Sequence, residues 1–192
     1  DPFHSIHETE LQATGSALVP SGVRNSWLFL LSYSNNRTFA NGVPLPGFAY
    51  IARSAEKRWQ VIVGFPFALV SFTPDDDWAL RASLFGPNTQ SVDLSRRIAG
   101  EFRLYTAFER GAQAWFRAGR GTRSDRLIYQ QRKAVLGLRG PLAWGLSLDA
   151  FGGRSFGRRF FEAKDVGSSD TPRVHLGNSW LMGLALSGRW GA

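Results

Sequence analysis

The chain has 192 residues, is 43% hydrophobic and 20% charged, carries a net charge of +8 and contains no cysteine. Those values exclude a disordered chain, a disulfide scaffold and a thiolate metal site, and they leave a single domain over 1–192. The charge comes from 20 Arg and 3 Lys (Lys57, Lys133, Lys164) spread along the chain in blocks no longer than Arg96–Arg97 or Arg158–Arg159, so the clustered basic face of a nucleic-acid binder is not expected.

Turn residues divide the chain into about ten strand-like stretches: 8–19, 24–36, 46–56, 58–72, 77–86, 93–108, 112–119, 124–140, 142–156 and 176–190. The punctuation includes Pro20-Ser21-Gly22, Asn41-Gly42, Pro74 to Asp77, Gly86-Pro87-Asn88, Gly140-Pro141 and the segment Val166 to Pro172. No window has helical periodicity. Within the strands, large apolar residues keep to one parity. Over 59–69 the odd positions hold Trp59, Val61, Val63, Phe65, Phe67 and Leu69; over 78–84 the even positions hold Trp78, Leu80 and Leu84 against Ala79, Arg81 and Ser83. Over 97–109 Ile98, Phe102, Leu104 and Phe108 oppose Arg97, Glu101, Arg103 and Glu109. The same two-residue period runs through 142–150 and 180–190. Successive strand residues face opposite sides, so each strand has a greasy face and a small or polar one.

With no helix to cover the greasy face, a bilayer is the expected cover. No apolar run approaches the roughly 18–20 residues of a transmembrane helix. In lipid only a closed barrel satisfies the backbone of strands. The expected fold is therefore an all-β, closed antiparallel transmembrane β-barrel of about ten strands, with eight or twelve as the other even counts. Trp27, Trp59, Trp78, Trp144, Trp180 and Trp190 are assigned to the lipid-facing surface or its aromatic girdle, together with Leu146, Leu148, Met182, Leu184 and Leu186. The opposite parity sends Gln60, Arg81, Arg97, Glu101, Arg103, Tyr105, Gln113, Arg117, Asp149 and Arg189 to the lumen. Small residues across from the lipid face, Gly145, Ser147, Gly183 and Ala185, are expected to leave room for arginines of neighbouring strands.

Other constellations carry less. His4, His7, Glu8 and Glu10 lack a known ligand spacing, so no metal is assigned. Asp75-Asp76-Asp77 lacks the spaced, Gly-containing pattern of a calcium loop and reads as a solvated turn. Gly119-Arg120-Gly121 has no following Lys-Ser/Thr and no strand–helix context, so no nucleotide is assigned. His175, Asn178 and Ser179 contain the residue types of a lipase, yet His175 and Ser179 would stand about 13 Å apart along one strand, beyond hydrogen-bond reach.

Three segments carry a resemblance. Val63-Gly64-Phe65-Pro66-Phe67-Ala68-Leu69-Val70, Asp125-Arg126-Leu127-Ile128-Tyr129 running on to Gly137-Leu138, and Phe151-Gly152-Gly153-Arg154-Ser155-Phe156-Gly157-Arg158-Arg159-Phe160-Phe161 together resemble an uncharacterised family of bacterial outer-membrane β-barrel proteins over about residues 60–165. The resemblance implies architecture and location but no activity. The chain is expected to be the mature form of an exported protein, its signal peptide already removed. It is expected to act without cofactor or catalysis, as a structural or anchoring barrel of the envelope or a small porin-like, anion-preferring conduit. Outer-membrane lipid and lipopolysaccharide, and other envelope proteins, are the expected partners. A soluble lipocalin-like barrel, with the greasy parity turned inward, and a membrane-embedded hydrolase are the alternatives.

Overall fold

The computed structural model describes residues 9–117, 122, 124–168 and 172–188. Twelve strands form one sheet: β1 (Gln12–Pro20), β2 (Ser26–Ser34), β3 (Leu45–Arg53), β4 (Trp59–Phe65), β5 (Phe67–Phe72), β6 (Trp78–Phe85), β7 (Thr89–Ala99), β8 (Phe102–Trp115), β9 (Arg126–Pro141), β10 (Leu146–Ala163), β11 (Val174–Leu176) and β12 (Ser179–Gly188). Each strand pairs antiparallel with the next through β10, and both β11 and β12 lie along the free side of β10. Twelve strands thus fill eleven positions.

The expected count of ten is corrected. The stretch 58–72 is a hairpin of two strands, β4 and β5, turning at Pro66, with Val63 opposite Ala68. A ring at that position cannot donate a ladder hydrogen bond, so the long apolar run folds back on itself. The stretches 93–108 and 112–119 become β7 and β8, joined at Gly100, whose φ of +55° suits a tight turn. Among the described residues no ladder joins β1 to β12. Both edges run in the same direction, because β10 is antiparallel to β12 and nine alternations separate it from β1.

The sheet is strongly curled. Asn36, two residues beyond β2, donates its side-chain amide to the carbonyl of Ala114 on β8 at 2.9 Å. In a flat sheet those strands would be about 29 Å apart, six spacings of roughly 4.8 Å, and two residues cannot span that. The β2–β3 loop continues into the upper ends of β9 and β10. Arg126 donates to the carbonyls of Arg37 and Lys164, and Val166 donates its amide to Thr38. Burial in this loop draws the Arg37 guanidinium below its ordinary pKa. Beside it Ala114, Ile128, Phe161, Ala163 and Val166 form a small buried cluster.

The longest connections gather at one end of the sheet. One end carries turns of two to five residues and the 3₁₀ turn Ala143–Gly145; the other carries the loops after β2, β8 and β10 and the tight Pro66 turn. Strand length follows: β8, β9 and β10 have 14, 16 and 18 residues and rise past the short β4 and β5.

Candidate functional site

The outer face is apolar. Register places Phe29, Phe48, Val63, Val70, Leu84, Val92, Leu94, Leu104, Phe108 and Leu136 on one side of the sheet, all exposed. Among the described residues 31 large apolar side chains are exposed and only ten apolar residues are buried, which inverts the order of a soluble domain. Trp27, Trp59, Trp78 and Trp144 all stand at the short-turn end, and Trp180 at the start of β12, toward the opposite end. Trp144 is 88% exposed although its backbone is left-handed at φ +60°. Met182, Leu184 and Leu186 are exposed on β12, whereas Leu146 and Leu148 are half-buried. Trp190 lies outside the described residues.

The inner face has two halves. On β2 to β5 it carries Leu28, Leu30, Leu45, Ala49, Ile51, Ile62, Phe67 and Leu69, a lining that the sequence reading missed. The signal was available: β2 is apolar on both parities over Trp27 to Leu31, the mark of a strand with non-aqueous surroundings on both sides. On β6 to β10 the inner face is charged. Asp93 takes a hydrogen bond from Arg139 at 2.7 Å, and Arg139 also stacks over the Tyr105 ring at 4.7 Å. Tyr105 donates its hydroxyl to Asp149 at 2.7 Å. Glu109 pairs with Lys133 at 2.7 Å.

These pairs divide the interior. A cavity of about 510 Å³ lies between Gln60, Ser71, Arg81, Asp93 and Arg139. Next is one of about 270 Å³ around Tyr105, Glu109, Lys133 and Asp149, meeting the first at the Arg139–Asp93 pair. A third, of about 440 Å³, includes Gln113, Tyr129 and Gln131 and meets the second at Lys133–Glu109. At the short-turn end Arg97 and Arg103 hold the β5–β6 turn: Arg97 donates to Asp76 at 2.6 Å, and Arg103 donates to Asp76 and Asp77 at 2.8 and 3.1 Å.

Of the expected lumen residues, Gln60, Arg81, Tyr105, Gln113 and Asp149 therefore meet the interior cavities, while Arg97 and Arg103 secure a turn at one mouth. Glu101 is exposed in the β7–β8 turn, and Arg117, past the end of β8, pairs with Glu162 at 2.8 Å. Arg189 lies outside the described residues. The space beside Gly183 is filled by the Phe151 ring, not by an arginine, and Tyr105 covers Gly137 in the same way. Gly145 belongs to the 3₁₀ turn at φ +71°.

Other candidates resolve individually. Asp75 accepts hydrogen bonds from the backbone of Asp77 and Trp78 at 2.9 and 2.8 Å, closing its own turn. Glu10 accepts from Asn36, whereas His4, His7, Glu8 and Gly119 to Gly121 lie outside the described residues. Among the described residues no group of three carboxylates or histidines could hold a metal. His175 stands opposite Arg159, and the Ser179 hydroxyl accepts from Arg158 at 3.0 Å. These arginines are neighbours in sequence, but a bulge separates their surroundings. Between Phe156 and Arg159 the β9 ladder skips a residue around Gly157, φ +60°. Arg158 then reaches Tyr129 beside the third cavity, while Arg159 joins Gln130 on the other face.

Comparison of the chain with protein families, curated proteins and solved structures returns no match.

Proposed function

We propose that the chain is an integral β-barrel of the bacterial outer membrane, a structural or anchoring element whose interior is barred by ion pairs. The observation that carries this reading is the inverted sheet: a largely apolar surface outside and, on β6 to β10, charged, hydrogen-bonded side chains inside. Lipid would cover the outer face, and curling would let the two edges approach to complete the barrel. Trp27, Trp59, Trp78 and Trp144 at one end fit an interfacial girdle. A lipocalin-like soluble barrel requires the apolar parity to turn inward, and the exposure of Phe48, Val63 and Leu136 counts against that. A hydrolase finds no support in the separated His175 and Ser179.

The anchoring reading is favoured over a conduit by the Arg139–Asp93 and Lys133–Glu109 bars and by the turn pinned under Arg97 and Arg103. Barrels of this size are expected to be filled or barely permeable. Arg81, exposed toward the first cavity, favours anion preference if ions pass at all. The test is twofold. The protein should need detergent for solubility and migrate differently on a denaturing gel before and after boiling. In planar bilayers it should give no stepwise conductance, and the variant D93A/R139A should open measurable, anion-preferring steps. A chain that stays monomeric in buffer overturns the membrane reading; steady conductance from the unaltered protein overturns the barred interior.

A further inference from the structure

Immediately above the apolar outer face lies a cluster of arginines that, among the described residues, pairs with no carboxylate. Arg110 on β8 stands directly opposite Arg132 on β9, on the same face as Phe108 and Leu136. Arg132 is also opposite Phe156 on β10, whose ring lies 6.3 Å from that of Phe108. Arg159 and His175 complete the rim, and together with Gln130 they enclose a cavity of about 150 Å³. Arg159 donates to Gln130. Among the described residues none of Arg110, Arg132 and Arg159 has an ion-pair partner. Like charges directly opposite on one sheet face repel unless an anion sits between them.

Height adds a second constraint. Arg110 is eight residues along β8 from Phe102, at the short-turn end. That is about 26 Å along the strand, and about 20 Å along the membrane normal at a tilt of roughly 40°, against an apolar band about 25 Å tall. That leaves Arg110 about 5 Å below the upper edge of the band, a gap that an arginine side chain spans by snorkelling to headgroup level, with Phe108 and Phe156 beneath at acyl-chain level. Level with Phe108 on the same surface, Arg154 lies over the Trp180 ring at 5.9 Å, which shields its charge.

We propose that Arg110, Arg132 and Arg159, with His175 at the rim, bind the phosphate of an anionic membrane lipid in the leaflet on the long-loop side. The proposal rests on the membrane-barrel reading. The planar guanidinium fork matches phosphate geometry, and the half-open cavity admits a headgroup while its chains lie along Phe108 and Phe156. The bulge at Gly157 is what makes the site. Without the extra residue Arg159 would fall on the opposite parity and face Arg158's partners.

Native mass spectrometry of the protein released from non-ionic detergent provides the test, with diphosphorylated lipid A, phosphatidylcholine and inorganic phosphate as probes. The unaltered protein should retain one lipid A per chain and at least tenfold less phosphatidylcholine. R132Q/R159Q should lose that retention at least tenfold, R132K/R159K should recover part of it, and R96Q, at the short-turn end, should not change it. Each variant must first show the boiling-dependent gel shift of the unaltered protein. Equal retention in R132Q/R159Q, or no preference over phosphatidylcholine, overturns the site. Displacement of lipid A by millimolar inorganic phosphate would make it a free-anion pocket and overturn the lipid assignment. Loss of the gel shift in the unaltered protein would instead indict the membrane reading.

Discussion

At the scale of single residues, small side chains are set by what approaches them. A Cβ on Gly64 would overlap the carbonyl oxygen of Phe48 and the Cα of Ala49, backbone atoms that cannot step aside. Gly111 faces open space. G64A is therefore expected to lose several kcal/mol of stability and G111A to stay within about 0.5 kcal/mol, read from urea unfolding in detergent. The Arg139–Asp93 pair is partly screened, its side chains being 33% and 21% exposed. R139Q or D93N should each cost about 1–2 kcal/mol, with a double-mutant coupling near 1 kcal/mol. A coupling indistinguishable from zero would mean that the bar contributes nothing to folding. Much of this scale was legible in the sequence: alternation assigned Phe108 to one face and Tyr105 and Asp149 to the other. It could not assign occupants. Gly183 looked like space for an arginine because composition shows that a residue is small, while only the register shows that Phe151 fills the gap.

Elements carry a different lesson. A period of two survives until something changes the count, and three devices change it here. Pro66 turns one apolar run into two strands, and Gly100 places a turn inside an alternating stretch. The Gly157 bulge moves Arg159 to the face that parity denied it. Each is marked by Gly or Pro, but such residues also occur where nothing bends, as at Gly152 within β10. Long-range anchoring was equally invisible. Arg126 has no exposed side-chain area and joins the carbonyls of Arg37 and Lys164, residues far away in sequence. Its nearest carboxylate is Asp165 at 3.8 Å. R126Q should leave those carbonyls short of a donor and cost about 3 kcal/mol. Trypsin or chymotrypsin should then cut within residues 35–44 and 164–168 much faster, while the strands below stay intact. Unchanged cleavage would show that the loops are held by the Ala114–Ile128–Phe161 cluster alone.

For the whole molecule, the apolar exterior, the divided interior and the curl act together. The exterior fixes where the chain is stable, and the curl brings β2 beside β8 although five strands lie between them. The interior then fills unevenly, greasy on the β2–β5 side and ionic on the β6–β10 side. Patterning named several residues of the ionic side and missed the greasy one. Long-range closure is not encoded by any local run of residues.

The shared direction of β1 and β12 has a consequence for assembly. Edge strands are templates for pairing with other copies. If the chain spans a bilayer as proposed, every copy whose edges have not yet met is inserted with the same polarity, so free edges point the same way and no two upright neighbours can zip together antiparallel. Only an upside-down copy could do so. Detergent micelles impose no such vectorial order. Antiparallel dimers through β1 should therefore accumulate with concentration in micelles, measured by light scattering, and be missing from oriented bilayers, measured by single-molecule photobleaching. Membrane insertion itself would act as the gatekeeper against self-association.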